Sequence, residues 1–190
     1  MTLKVKSKAP AFTLPDQDGL EHSLKDYLGK WVLIYFYPKD DTPGCTKEAC
    51  AIRDNFPAFK KLGIKVFGVS ADSVKKHQKF AEKFDLPFTL LADEDKKVIK
   101  KYKVWGKKKF MPARNASRSD AGGGREYMGI LRTSYLIDPK GKIKKVYEKV
   151  NPVTHAEDVL ADIKVLSKNW QVKRHQNGAS CKRGWVTYLS

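Results

Sequence analysis

Residues 31–37, WVLIYFY, form an unbroken apolar run rich in β-formers, the pattern of a central strand buried on both faces. Residues 64–71 (IKVFGVSA) and 88–92 (FTLLA) predict two further strands. Residues 133–137 (TSYLI), then DPKGK, then residues 143–150, predict a hairpin around a Pro-Gly turn. Between the strands the apolar positions fall at helical spacing. They predict a long helix over 43–62 that Pro57 ends or kinks, and shorter helices over 73–84 and 96–102. A last helix over 154–166 opens on THAE, a capping box in which Thr154 and Glu157 would satisfy each other's orphan amides. Early strands joined through helices run parallel and the final hairpin is antiparallel. The pattern therefore predicts an α/β fold, a central mixed β-sheet flanked by helices on both faces.

Two stretches break the pattern. Between Trp105 and Leu131 no element is predicted, and the stretch holds PARNASRSDAGGGRE, long for a structureless connection inside a domain. Residues 167–190 show no period; they carry Lys168, Lys173, Arg174, Lys182 and Arg183 with no acidic residue, alongside Trp170 and Trp185.

Composition narrows the class. A chain of 190 residues that is 41% hydrophobic and 31% charged has the make-up of one folded, water-soluble domain. No apolar run approaches the ~20 residues of a spanning helix, and the first residues, MTLKVKSKAPAF, lack the apolar core of a secretory signal, so the expected location is cytoplasmic, with no membrane partner. The net charge of +17 admits nucleic acid or an acidic partner, but lysines interleaved with apolar residues, as in KKVIKKYKV, read as solvated faces of ordinary elements, and that reading is favoured.

The cysteines add chemistry. Cys45 and Cys50 follow a strand end that breaks into YPKDDTPG, while Cys181 stands alone near the C-terminus. Three cysteines make no disulfide framework, and a C-x₄-C pair without nearby ligands is a weak metal signature, the four histidines being scattered. Cys45 falls at a predicted helix start, with Pro43 at its first position and Thr42 as a good N-cap type that could instead turn its hydroxyl towards whatever Cys45 attacks. Unpaired amides and the macrodipole there favour a thiolate, the reactive form, although a buried helix-start cysteine fits the spacing equally well. Cys50 shifts the balance. Five helical residues set the two Cα atoms about 8.6 Å apart, beyond the roughly 7 Å a disulfide accepts, so a bond between them requires the first turns to unwind. That suits a redox cycle better than a structural bridge.

PKDDTPGC carries Pro38, Thr42 and Cys45 in a P-x-x-x-T-x-x-C pattern, and FYPKDDTPGCTKEAC as a whole resembles the bacterioferritin-comigratory (Q-type) branch of the peroxiredoxins. FGVSADS, LPFTLLAD, VWGKKKFM and LRTSYLIDPKGKI extend the resemblance over residues 3–166, one gap apart. It implies a thioredoxin-like fold and a peroxidase that needs no metal, haem or other cofactor. It makes Cys45 the peroxidatic cysteine, Thr42 the residue that positions peroxide, Pro38 a shield, Arg132 the active-site cation, Glu48 an acidic residue orienting the arginine, and Cys50 the resolving cysteine. Thioredoxin or a similar dithiol is the implied reductant, and the intramolecular pair removes the need for a dimer.

The departures from that family are the two odd stretches. Residues 112–123 read as a loop insertion a few residues before Arg132, close enough to disturb it. Residues 167–190 read as a basic extension rather than a separate domain, leaving 1–166 as the peroxiredoxin domain. Cys181, flanked by Lys182 and Arg183, is an alternative resolving partner. The competing reading is a basic module binding nucleic acid or an acidic partner on a thioredoxin-like scaffold with impaired peroxidase activity.

Overall fold

The apolar run at the centre of the chain becomes strand β3 (Trp31–Phe36), and every one of its residues is buried, because its alternate side chains feed two separate cores. The computed structural model describes residues 2–109 and 126–176; segment 112–123 and Cys181 lie outside them. Trp31, Leu33 and Tyr35 point to one face, where Cys45, Ile52, Phe59, Phe80 and Ile163 meet them. Val32, Ile34 and Phe36 point to the other, against Phe12, Phe67, Ile99 and Tyr102.

The chain enters through a small hairpin, β1 (Thr13–Pro15) with β2 (Glu21–Ser23), and a 3-10 turn over Leu24–Tyr27, none of which the apolar pattern predicts. After β3 come helices α1 (Pro43–Asp54) and α2 (Phe56–Lys61), strand β4 (Ile64–Ser70), helix α3 (Val74–Lys83), strand β5 (Thr89–Ala92) and helix α4 (Lys97–Lys101). Strands β6 (Trp105–Lys109), β7 (Glu126–Ile130), β8 (Thr133–Ile137) and β9 (Ile143–Glu148) follow, and helix α5 (His155–Gln176) closes the described chain. The main sheet runs β5-β4-β3-β8-β9. β3, β4 and β5 are parallel and β8 and β9 antiparallel to their neighbours, so the sheet is mixed as expected. Side chains of α1, α2, α3 and α5 cover one face; α4 and the N-terminal segment cover the other.

Four local expectations are corrected. The predicted helix over 43–62 is two helices broken at Asn55, whose side-chain amide donates to the Ala51 carbonyl at 2.9 Å. Pro57 lies in the first turn of α2, where no amide donor is missed. The stretch between Trp105 and Leu131 does contain structure: β6 and β7 pair antiparallel, from Trp105 opposite Ile130 to Lys109 opposite Glu126. WGKKK has neither alternation nor β-branching, and its order comes from its partner strand. α5 passes residue 166, the predicted end of the last helix, and continues to Gln176, there being no Pro or Gly in the sequence between Pro152 and Gly178 to stop it. The Thr154 hydroxyl donates to Asp158 at 3.0 Å rather than taking part in a box with Glu157.

Candidate active site

Strand β3 delivers Tyr37 and Pro38 to the end of the sheet, and the chain turns through Asp41, whose left-handed backbone (φ 53°) an aspartate tolerates better than most residues. Buried side chains pin this turn. The Tyr37 hydroxyl donates to Asp40 Oδ1 at 2.6 Å, His77 Nδ1 lies 2.8 Å from Asp40 Oδ2, and the Asp40 amide donates to Asp72 Oδ2 at 2.9 Å. Ser70 holds Asp72 in turn at 2.8 Å. Desolvation, with Asp40 beside it, pushes the Tyr37 phenol well above its ordinary range, so it stays a donor. Sequence reasoning missed this support; a histidine inside a helical period gives no sign that its ring is buried.

Thr42 occupies the N-cap of α1 with extended backbone, but its hydroxyl does not cap the helix; it donates to the Lys39 carbonyl at 3.1 Å. Pro43 has no amide to offer, and among the described residues the Gly44 and Cys45 amides have no hydrogen-bond partner. Cys45 is 2% exposed and sits at the third helical position. Three residues on, along the same helix face, lies Glu48, with no exposure at all.

Arg132 comes from the corner between β7 and β8 and reaches both. Its Nη2 donates to Cys45 Sγ at 3.3 Å and its Nη1 to Glu48 Oε2. Burial works against the Arg132 charge, but Glu48 and Cys45 outweigh it and hold the guanidinium above its ordinary range. Gly44 leaves room for the approach, since a Cβ there would lie 3.2 Å from Arg132 Nη2. Cys50 is half-buried, and both thiols are free in a continuously wound α1. Pro38 is half-buried at the start of the turn. Thus Cys45, Glu48 and Arg132 form one contact group, Thr42 and Pro38 flank it along the chain, and Cys50 stands further along the helix. His155, the first residue of α5, was not anticipated: its Nδ1 lies 3.0 Å from Glu48 Oε1, and the only sequence signal was its place just after a capping-type threonine.

A sheet of this order, with parallel neighbours on one side of the central strand, antiparallel ones on the other and a cysteine-bearing helix following that strand, is a thioredoxin-like fold. Comparison with known proteins narrows the class: the AhpC/TSA family model matches residues 5–146, and the chain belongs to that family, within its bacterioferritin-comigratory peroxiredoxins. It is 47% identical over 158 residues to peroxiredoxin Bcp of Escherichia coli strain K12, a match that spans 83% of this chain and 94% of the relative. Among solved structures it resembles the bacterioferritin comigratory protein of Xanthomonas campestris, with a TM-score of 0.72 and 34% identity over 82% of this chain and 92% of the other. It also resembles a cysteine-to-serine mutant of PrxQ from Xylella fastidiosa, with a TM-score of 0.76 and 29% identity over 88% and 99% of the two chains. The protein is a thiol peroxidase, an oxidoreductase that takes a peroxide substrate and a thiol reductant. Among the described residues no helix is long and apolar enough to cross a membrane.

Proposed function

We propose that the chain reduces hydrogen peroxide and organic hydroperoxides through Cys45, with Cys50 as resolving cysteine and thioredoxin or a similar dithiol as reductant. The observation that carries this reading is the Arg132 donor 3.3 Å from Cys45 Sγ at an uncapped helix N-terminus. A thiolate there is countered by the guanidinium and by the positive end of the helix. It attacks the near peroxide oxygen, the O–O bond breaks, and the sulfur becomes a sulfenic acid. The departing hydroxide or alkoxide takes a proton and leaves as water or an alcohol. Arg132 stabilises charge on the peroxide oxygens, Glu48 orients Arg132, and Pro38 shields the sulfur. Thr42, whose own proton goes to the Lys39 carbonyl, positions the peroxide by accepting from its O–H. The Cys50 thiol then displaces the sulfenic hydroxyl as water, and the reductant's two thiols return both cysteines to thiols as the reductant becomes a disulfide.

The Xanthomonas relative is described by its alkyl peroxide reduction activity, which supports organic hydroperoxides among the substrates. Both cysteines lie in one helix, so the cycle needs no second subunit, and we take the protein as a cytoplasmic monomer. We take residues 1–166 as the peroxiredoxin domain, 112–123 as its insertion and 167–190 as an extension. The paired strands that flank the insertion support an undisturbed Arg132. Lys109 and Glu126 mark one end of the β6–β7 ribbon and Ile130 the other, about 14 Å away at strand rise, and Arg132 follows that second end.

The test is peroxide consumption and peptide mass spectrometry on the full chain. Cys45→Ser abolishes consumption. Cys50→Ser consumes one equivalent and leaves a sulfenic acid that a carbon acid traps. Wild type treated with one equivalent links Cys45 to Cys50; three free thiols after that treatment would overturn the proposal, and a link to Cys181 would replace Cys50 in it.

A further inference from the structure

Glu48 lies between Cys45 and Cys50 on α1, wholly buried, and a buried carboxylate demands compensation. Arg132 meets Oε2. Oε1 faces His155 Nδ1 at 3.0 Å, close enough for an ion pair yet off the line of a hydrogen bond, and neither Oε1 nor either His155 ring nitrogen has a hydrogen-bond partner among the described residues. His155 is 1% exposed, its ring edge-on to Tyr35 of β3 and to Tyr147 of β9. Two elements distant in sequence, the β7–β8 corner and the first turn of α5, therefore grip one carboxylate of α1 from opposite oxygens.

Resting on the resolving step proposed above, we propose that His155 is a positioning residue. With Arg132 it clamps Glu48, and the clamp keeps the first turns of α1 wound with Cys45 against Arg132. Cys50 cannot reach Cys45 while the helix is wound, because about 8.6 Å separates their Cα atoms where a disulfide accepts roughly 7 Å. The segment that must unwind contains Glu48, so its release from Arg132 and His155 accompanies resolution. The grip therefore acts oppositely on the two half-reactions, favouring oxidation of Cys45 and delaying disulfide closure. While closure is delayed, a second peroxide can oxidise the sulfenate to sulfinate, its O–O bond breaking and its other oxygen leaving as water.

The experiment is rapid-quench mass spectrometry of the full chain, following sulfenic acid, Cys45–Cys50 disulfide and sulfinate in wild type, His155→Phe, His155→Gln and Glu48→Gln. His155→Phe keeps a ring between Tyr35 and Tyr147 but offers Glu48 no donor. It is expected to slow Cys45 oxidation and to speed disulfide closure, each by about two- to tenfold, the scale of one modest polar contact, with less sulfinate at high peroxide. Glu48→Gln moves the same way. His155→Gln, whose amide can donate to Oε1, is expected to return both rates towards wild type. If His155→Phe and Glu48→Gln leave both rates at wild-type values, or shift both in one direction, the clamp is overturned; so it is if His155→Gln behaves as His155→Phe. A wild type that consumes peroxide but never links Cys45 to Cys50 would overturn the resolving step itself, an outcome read before any variant is compared.

Discussion

At the scale of single residues, the site depends on how near a cation can come to one sulfur. Arg132 reaches Cys45 across the backbone of Gly44, and hydrogen in place of a side chain is what keeps that path open. Gly44 has an ordinary right-handed helical backbone, so alanine there is unstrained and the helix gains up to about 1 kcal/mol in propensity. Its methyl, however, would lie 3.2 Å from Nη2, and the end of the arginine side chain is what yields. Gly44→Ala is therefore expected to keep or raise the melting temperature while slowing the peroxide reaction of Cys45, measured by stopped-flow at saturating reductant. An unchanged rate would mean that the arginine's distance from the sulfur does not limit the step. Part of this was legible beforehand: PKDDTPGC puts Cys45 at a helix start, whereas Arg132 was singled out among the basic residues only by the resemblance that LRTSY carries. The clamp from His155 was not, because a histidine at a helix start carries no mark of what its ring will face.

At the scale of elements, strand-to-strand contact sets the tolerances. In the parallel pairing of β3 with β4, Tyr35 stands opposite Gly68, and a Cβ on Gly68 would come within 2.6 Å of the Tyr35 hydroxyl and 2.8 Å of Leu90. Tyr35 is fully enclosed and stacked on Tyr37, so it has nowhere to move. Gly68→Ala is expected to destabilise the fold by about 1–3 kcal/mol, read as a lower urea midpoint with unchanged slope. A midpoint at the wild-type value would show that the sheet can open to admit a methyl. The strong elements, β3, β4, β5 and the β8–β9 hairpin, were readable because apolar side chains at the right period encode burial directly. β6 and β7 were not: Trp105–Lys109 and Glu126–Ile130 become strands by pairing with each other, and pairing leaves little trace in either sequence alone.

At the scale of the molecule, the excess of positive charge makes acid the natural challenge, because protonating carboxylates adds to a net charge already at +17. Asp16 is one carboxylate that acid would neutralise at a cost to the fold. Burial raises its affinity for a proton, but His22 at 2.7 Å and the Leu20 and Asp18 amides outweigh it and hold the group below its ordinary value of 3.8. A carboxyl held lower in the folded than in the unfolded chain stabilises above the unfolded value, near pH 4, and that contribution is lost as pH falls through the folded value. Asp16→Asn is therefore expected to lower stability at pH 7 and to shrink the further loss between pH 5 and pH 2, compared by urea unfolding across that range. Equal acid sensitivity in both proteins would show that Asp16 is not part of it.

By itself, the sequence determined the class of fold, the order of its principal elements and the motif that gathers Thr42 and Cys45. All three follow from local rules: apolar period, Pro and Gly punctuation, and the preference of a helix start for certain residues. Only the tertiary structure decided that Arg132, Glu48 and His155 converge from a strand corner and two helices, that Thr42 leaves its helix uncapped, and that Asp40 and His77 are joined beneath the turn. The Thr42 contact lies within its own turn, but the others join residues from 37 to 107 positions apart, and packing between elements, which no local rule encodes, is what brings those together.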